Sequence, residues 1–136
     1  MFNALKNPLS LAGRLLLALL FLPAGIGKVT DFSGTVAYIS SVHLPVPALA
    51  AVLALTVEIL GSVALITGFG TRIAALVLAL FTLAASLAFH NYWAAPTDQQ
   101  LVQQLLFFKN IAVVGGLLSL AAWGAGAWSL DARRAA

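Results

Sequence analysis

The chain has 136 residues, 62% of them hydrophobic and 8% charged, with a mean hydropathy of +1.03, values that exclude a water-soluble globular domain and mark a membrane protein. Its seven basic and four acidic residues are scattered among apolar runs rather than gathered on one face, which excludes a nucleic-acid-binding surface. With no cysteine, it forms no disulfide or thiolate metal site, so any redox chemistry belongs to a partner or a cofactor.

Apolar runs of about 20 residues cross roughly 30 Å of hydrocarbon at 1.5 Å per residue. Four such runs predict spans over 9–29, 47–68, 72–93 and 101–123. The fold class is therefore all-α, a polytopic four-helix bundle forming one membrane domain over 1–136. The first run follows Lys6 as a signal peptide would, but "LPAGIGKVTDF" has no clear small-x-small cleavage site and Lys28 follows it, so it reads as a retained helix. In the loop after it, "DFSGTVAYISSVHLPVP", Asp31 or Ser33 can start a helix, with Phe32, Val36 and Ile39 at helical spacing. Either a short helix lies there on the membrane surface or the loop packs over the bundle; Pro45 and Pro47 end it and lead into the second span. His43 reads as a surface histidine. Between spans two and three "GFGTR" leaves room only for a tight turn, which makes those helices an antiparallel hairpin.

Orientation follows from the basic flanks. Lys6, Arg72, Arg133 and Arg134 fall on the side of the termini, while the opposite loops carry Asp31 and Asp98, so both termini are expected in the cytoplasm. Trp123 and Trp128 would then mark the cytoplasmic interface, and Tyr92 with Trp93 the outer one. Counted from the outer side, Glu58 lies roughly 16 Å deep and Lys109 roughly 12 Å deep. Lys28, His90, Asn91 and Asn110 lie in the same outer half, and Arg14 about a third of the way up from the other side.

Helical phase places these groups on faces with small neighbours. Arg14, Ala18, Phe21, Gly25 and Lys28 share a face of span one; Ala51, Ala54, Glu58, Gly61, Ser62 and Leu65 share one on span two. His90 aligns with Ser86 on span three, and Lys109 with Ala112, Val113, Gly116 and Ser119 on span four. A lipid-facing Lys or Glu near mid-bilayer costs at least ~2.5–3.5 kcal/mol on insertion scales, so these residues are expected to face inward. Lys109 then pairs with Glu58, and Arg14 with backbone carbonyls or with Glu58. Such pairs either only fix helix packing or share their site with a ligand, because Arg14, Lys28 and Lys109 against one carboxylate leave surplus positive charge for a carbonyl headgroup or an anion. Gly25, Gly61, Gly115 and Gly116 are expected to let helices approach, the last two permitting a homodimer.

The segments "RLLLALLFLPAGIGKVTDFSGTVAYI", "VEILGSVALITGFGTR", "FHNYW" and "FFKNIAVVGGLLSL" occur in the order and spacing of the DoxX family of small bacterial four-helix membrane proteins, and the chain resembles that family over about residues 10–125. By the resemblance Arg14, Gly25, Lys28, Glu58, Gly61, Gly68, His90, Asn91, Lys109, Asn110, Gly115 and Gly116 stand at typical family positions. It implies a bacterial inner-membrane protein. The family name is tied to quinol oxidation and thiosulfate:quinone oxidoreduction, so the resemblance also implies a place near a redox or oxidative-stress enzyme partner, with quinone as the candidate cofactor. Three functions stay open: an accessory or quinone-facing subunit of a membrane oxidoreductase, a small anion or proton transporter, and a structural anchor without a ligand. An independent enzyme has the least support, because the chain offers no haem ligand pair, zinc set, phosphate loop or Ser/His/Asp arrangement.

Overall fold

The computed structural model describes residues 2–135. Its long helices are α1 (Phe2–Thr30), α3 (Pro47–Thr67), α4 (Thr71–Phe89) and α5 (Thr97–Trp123), and all four are long and apolar enough to cross a membrane. Two short helices join them: α2 (Phe32–Ser41) between the first two spans, and α6 (Leu130–Arg134) after the last. Both termini and the α3–α4 turn lie at one end, called here the terminal end. The α1–α3 connection and the α4–α5 connection lie at the far end.

The first loop combines the two alternatives: it is helical, and that helix packs over the bundle. Asp31 caps α2 by accepting from the Gly34 amide at 3.0 Å, and Ile39 is buried beneath the helix. α3 starts with Pro47 at its first turn, after Val46 in the left-handed region. At the α3–α4 turn, Gly68 and Gly70 have φ of +70° and +58°, and the Gly68 and Phe69 amides both donate to the Ala64 carbonyl. A Cβ on Gly68 would fall 2.4 Å from Ser129 Cβ, so glycine is required there twice over.

The third span changes form near its far end. α4 stops at Phe89, because the His90 amide closes the helix on the Ser86 carbonyl, and the span is completed by a short 3-10 segment, Tyr92–Ala94. That turn stacks Tyr92 and Trp93 edge-on against Phe107 of α5, at ring centroid distances of 5.6 Å.

The helices pack in the order α1, α3, α4, α5, with long contacts between successive neighbours; α5 meets α1 over only a short stretch, so the ring is weakly closed. The core sits toward the terminal end, where Ala18, Phe21, Leu65, Ala75, Leu78, Ala79 and Leu117 interlock. Toward the far end the inward positions are alanines, among them Ala50, Ala54, Ala85 and Ala88. Their methyl groups cannot fill the space between helices, and a cavity remains.

Candidate functional site

That cavity holds about 430 Å³ and lies between α1, α3 and α4, with α2 across it. Its walls are mainly apolar: Leu20, Phe21, Ala24, Leu44, Phe81 and Phe89 join the alanines. Its polar members are Lys28, Glu58, Thr82, His90 and Asn110. Tyr38 of α2 stacks on Phe89 of α4, with centroids 5.3 Å apart and planes 19° off parallel, and both rings line the cavity.

Glu58 reaches the cavity from α3, with a side chain only 7% exposed. Its partner is Lys28, whose ammonium hydrogen-bonds Oε1 at 2.9 Å and lies 2.8 Å from Oε2. Oε2 is buried and has no aligned donor of its own. Gly25 makes the pairing geometrically accessible: a Cβ there would lie 2.7 Å from Ile59 Cγ1 and 3.1 Å from Glu58 Cβ, so only a glycine lets α1 come this close to α3. Gly61 does the same toward α4, where a Cβ would strike Leu78 at 2.8 Å.

The His90 ring, at the end of α4, holds Gln103 of α5 through Nδ1 at 2.8 Å. With Nδ1 donating to the Gln103 carbonyl oxygen, Nε2 is left as an acceptor. Asn110 is half-buried and has no hydrogen-bond partner among the described residues. Thr82 donates to the Leu78 carbonyl at 2.7 Å, keeping its lone pairs free.

Three expected members lie elsewhere. Lys109 does not pair with Glu58: it is exposed, lines no part of the cavity, and has no hydrogen bond or ion pair among the described residues. The face of α5 that enters the bundle is centred on Leu117, eight residues on, and at 100° per residue this lies about 80° around the helix from Lys109. Asn91 is exposed and outside the cavity, where the chain leaves α4. Arg14, fully buried, belongs to the terminal end. It donates to the carbonyls of Leu65 at 2.8 Å and Ile66 at 3.3 Å, and to that of Trp128, satisfying the last turn of α3 and fastening the C-terminal segment. The backbone-carbonyl alternative for Arg14 is thus the one realised. Nor do Gly115 and Gly116 make close approaches: nothing would meet a Cβ on Gly115 within 4 Å, and one on Gly116 would touch only Leu17, at 3.9 Å.

These corrections change the electrostatics of the site. With Arg14 committed to carbonyls and Lys109 outside, the cavity holds one cation and one anion, paired, and no surplus positive charge.

Two features were missed from sequence. Tyr38 and Phe89 close the cavity, although Thr35, Tyr38 and Ile39 at i, i+3, i+4 carried the signal. Asp131 accepts from the Gly70 amide at 2.7 Å and the Thr71 amide at 2.9 Å, capping α4 from α6. Burial pushes its carboxyl up, but those two amides, with Arg134 nearby, outweigh it and hold Asp131 below its usual range. Arg134 itself sits over the Phe69 ring at 5.1 Å.

The DoxX family model matches residues 9–91. This chain belongs to the DoxX family. It is 36% identical over 132 residues to inner membrane protein YphA of Escherichia coli (strain K12), covering 97% of this chain and 94% of that relative. To inner membrane protein YqjF of the same organism it is 39% identical over 121 residues, 89% of this chain and 88% of the relative. No solved structure matches the chain significantly. Four spanning helices and these relatives make this DoxX-family chain a multi-pass protein of the bacterial inner membrane, in contact with the lipid bilayer.

Proposed function

We propose that this DoxX-family protein is an accessory, quinone-facing subunit of a membrane-associated oxidoreductase or oxidative-stress system, binding a neutral carbonyl headgroup in the cavity beneath α2. The observation that carries the reading is the cavity's content: an apolar chamber of about 430 Å³ with one neutralised ion pair and unsatisfied polar groups. That volume is in the range of small-molecule pockets. A quinone carbonyl would accept from Lys28 or the Asn110 amide, and a quinol hydroxyl would donate to His90 Nε2 or to Glu58 Oε2. The same polar set thus suits both redox forms of such a headgroup, while the chain supplies no electron carrier of its own. The neutral pair removes the electrostatic reason for an anion path, which leaves the transporter reading without a specific observation in its favour.

Orientation belongs to the same proposal. Lys6, Arg72, Arg133 and Arg134 gather at the terminal end, so that end faces the cytoplasm and the cavity lies in the outer half of the bilayer.

Thermal unfolding of the detergent-purified protein with decylubiquinone and with menadione tests the binding. A rise in Tm is expected for the wild type, lost in Asn110→Leu and reduced in His90→Phe. No rise with either quinone, or an equal rise in both variants, overturns the reading.

A further inference from the structure

Three exposed hydroxyls within the spans are satisfied on their own helices. Thr56 donates to the Val52 carbonyl at 2.7 Å, Thr67 to Val63 at 2.8 Å and Ser119 to Gly115 at 3.1 Å, each one turn back on its own helix. Lys109 has no such recourse. It lies eight residues, roughly 12 Å, inside the far end of the span expected over 101–123 and fourteen residues before Trp123 on α5, within the apolar part of the helix. A four-carbon stem shortens the distance to the lipid phosphates only in part.

The surroundings of Lys109 are equally open. Gly116, on the same face two turns further along α5, is the point where α5 nears Leu17 of α1. Two turns toward the far end, Lys109 is level with Ala24. There the two helices stand apart, leaving a seam edged by exposed Leu20 on α1 and by exposed Lys109 and Ala112 on α5. The small side chains beside Lys109 leave room for another backbone.

No acid of this chain can fill that seam. Glu58 is held inside by Lys28; Asp31 caps α2 and Asp131 caps α4, at opposite ends of the molecule; Asp98 lies in the first turn of α5, eleven residues from Lys109. A second copy related by a two-fold axis through this face would bring Lys109 against Lys109. We infer that the seam between α1 and α5 is the docking groove for a transmembrane helix of a different protein, one that carries an aspartate or glutamate at the depth of Lys109 to pair with it. Leu20 edges both the seam and the cavity, so the two sites adjoin, but the pairing at Lys109 needs no ligand in the cavity.

The test uses the full chain, expressed at native level in its own membranes, extracted in mild detergent and sized by native electrophoresis. An assembly larger than the chain alone is expected, with a second membrane protein in it by mass spectrometry. Lys109→Met should weaken it roughly thirtyfold or more, as loss of one member of a desolvated charge pair does. Lys109→Arg should retain it, and Ala112→Trp should break it by bulk alone. Neutralising the partner's pairing acid should match Lys109→Met, and exchanging the two charges should restore assembly. The isolated Lys109→Met chain should keep its membrane yield and Tm, which separates lost docking from lost folding. The inference is overturned by an assembly of this chain only, by no assembly, by a partner without an intramembrane acid, by an assembly indifferent to Lys109→Met, or by a Lys109 effect that follows anionic lipid and no protein.

Discussion

Replacing Lys28 by Met while leaving Glu58 in place asks how much of the α1–α3 contact rests on charge. The pair lies at 2.8 Å, with Glu58 7% and Lys28 26% exposed. Deleting one member of a fully buried pair costs about 3–5 kcal/mol, because the other charge is stranded. A quarter-exposed ammonium has kept some of its hydration, so the loss expected for Lys28→Met is about 2–3 kcal/mol, below the fully buried range. Glu58→Leu removes the stranded charge instead and should be milder, about 1–2 kcal/mol, since Lys28 can turn outward. The double variant, with neither charge, should fall within about 1 kcal/mol of wild type, because apolar replacement of a buried pair is often close to neutral. Reversible unfolding of the four proteins in mixed detergent and SDS micelles completes the cycle. The expected coupling of about 2 kcal/mol or more stands well above the ~0.6 kcal/mol average for interhelical hydrogen bonds in membranes. Additive losses would refute the argument, since they would mean that Lys28 and Glu58 stabilise the bundle separately.

Gly25→Ala should destabilise by about 1–3 kcal/mol in the same assay, because the Ile59 amide nitrogen lies 3.3 Å from the new Cβ and backbone cannot yield as a side chain does. Gly115→Ala, with open space around it, should stay within about 0.5 kcal/mol of wild type. Arg14→Leu leaves the carbonyls of Leu65, Ile66 and Trp128 without their donor and should lower stability by about 2–4 kcal/mol, with Arg14→Lys recovering only part, as an ammonium lacks the forked geometry. Asp131 has a depressed folded-state pKa, so its contribution is present above its unfolded pKa and disappears as pH falls through the lower folded value. Tm measured from neutral pH into the acid range should therefore fall less steeply in Asp131→Asn than in wild type.

Helix number and the buried faces of α1 and α3 could be read from residue types alone, because Arg14, Ala18, Phe21 and Gly25, and Ala51, Ala54, Glu58 and Ser62, recur at helical spacing beside a charge that needs shelter. The partner of Glu58 could not. Depth placed Lys109 level with it, but depth is a one-dimensional coordinate, and rotation of α5 about its axis decided the pairing. The polar residues of α5 are spread around the helix rather than gathered on one face, so its sequence carries no phase signal to correct the assumption that a lysine in a span must face inward. Arg14 failed differently: its acceptors are main-chain carbonyls, and every residue has one, so no pattern of side chains can announce them. The cavity is an absence created by alanines meeting from several helices, legible only once those helices are neighbours.

The fastening of Arg14 has a consequence for biogenesis. Its helix leaves the ribosome more than a hundred residues before the Trp128 carbonyl that it clasps, with the Asp131 cap of α4 following three residues later. Until residues 128 to 131 are made, the arginine waits in the bilayer with two acceptors at most, and the turn at 68–70 lacks its carboxylate. Assembly of the first three spans is thus sealed only after the fourth has been translated.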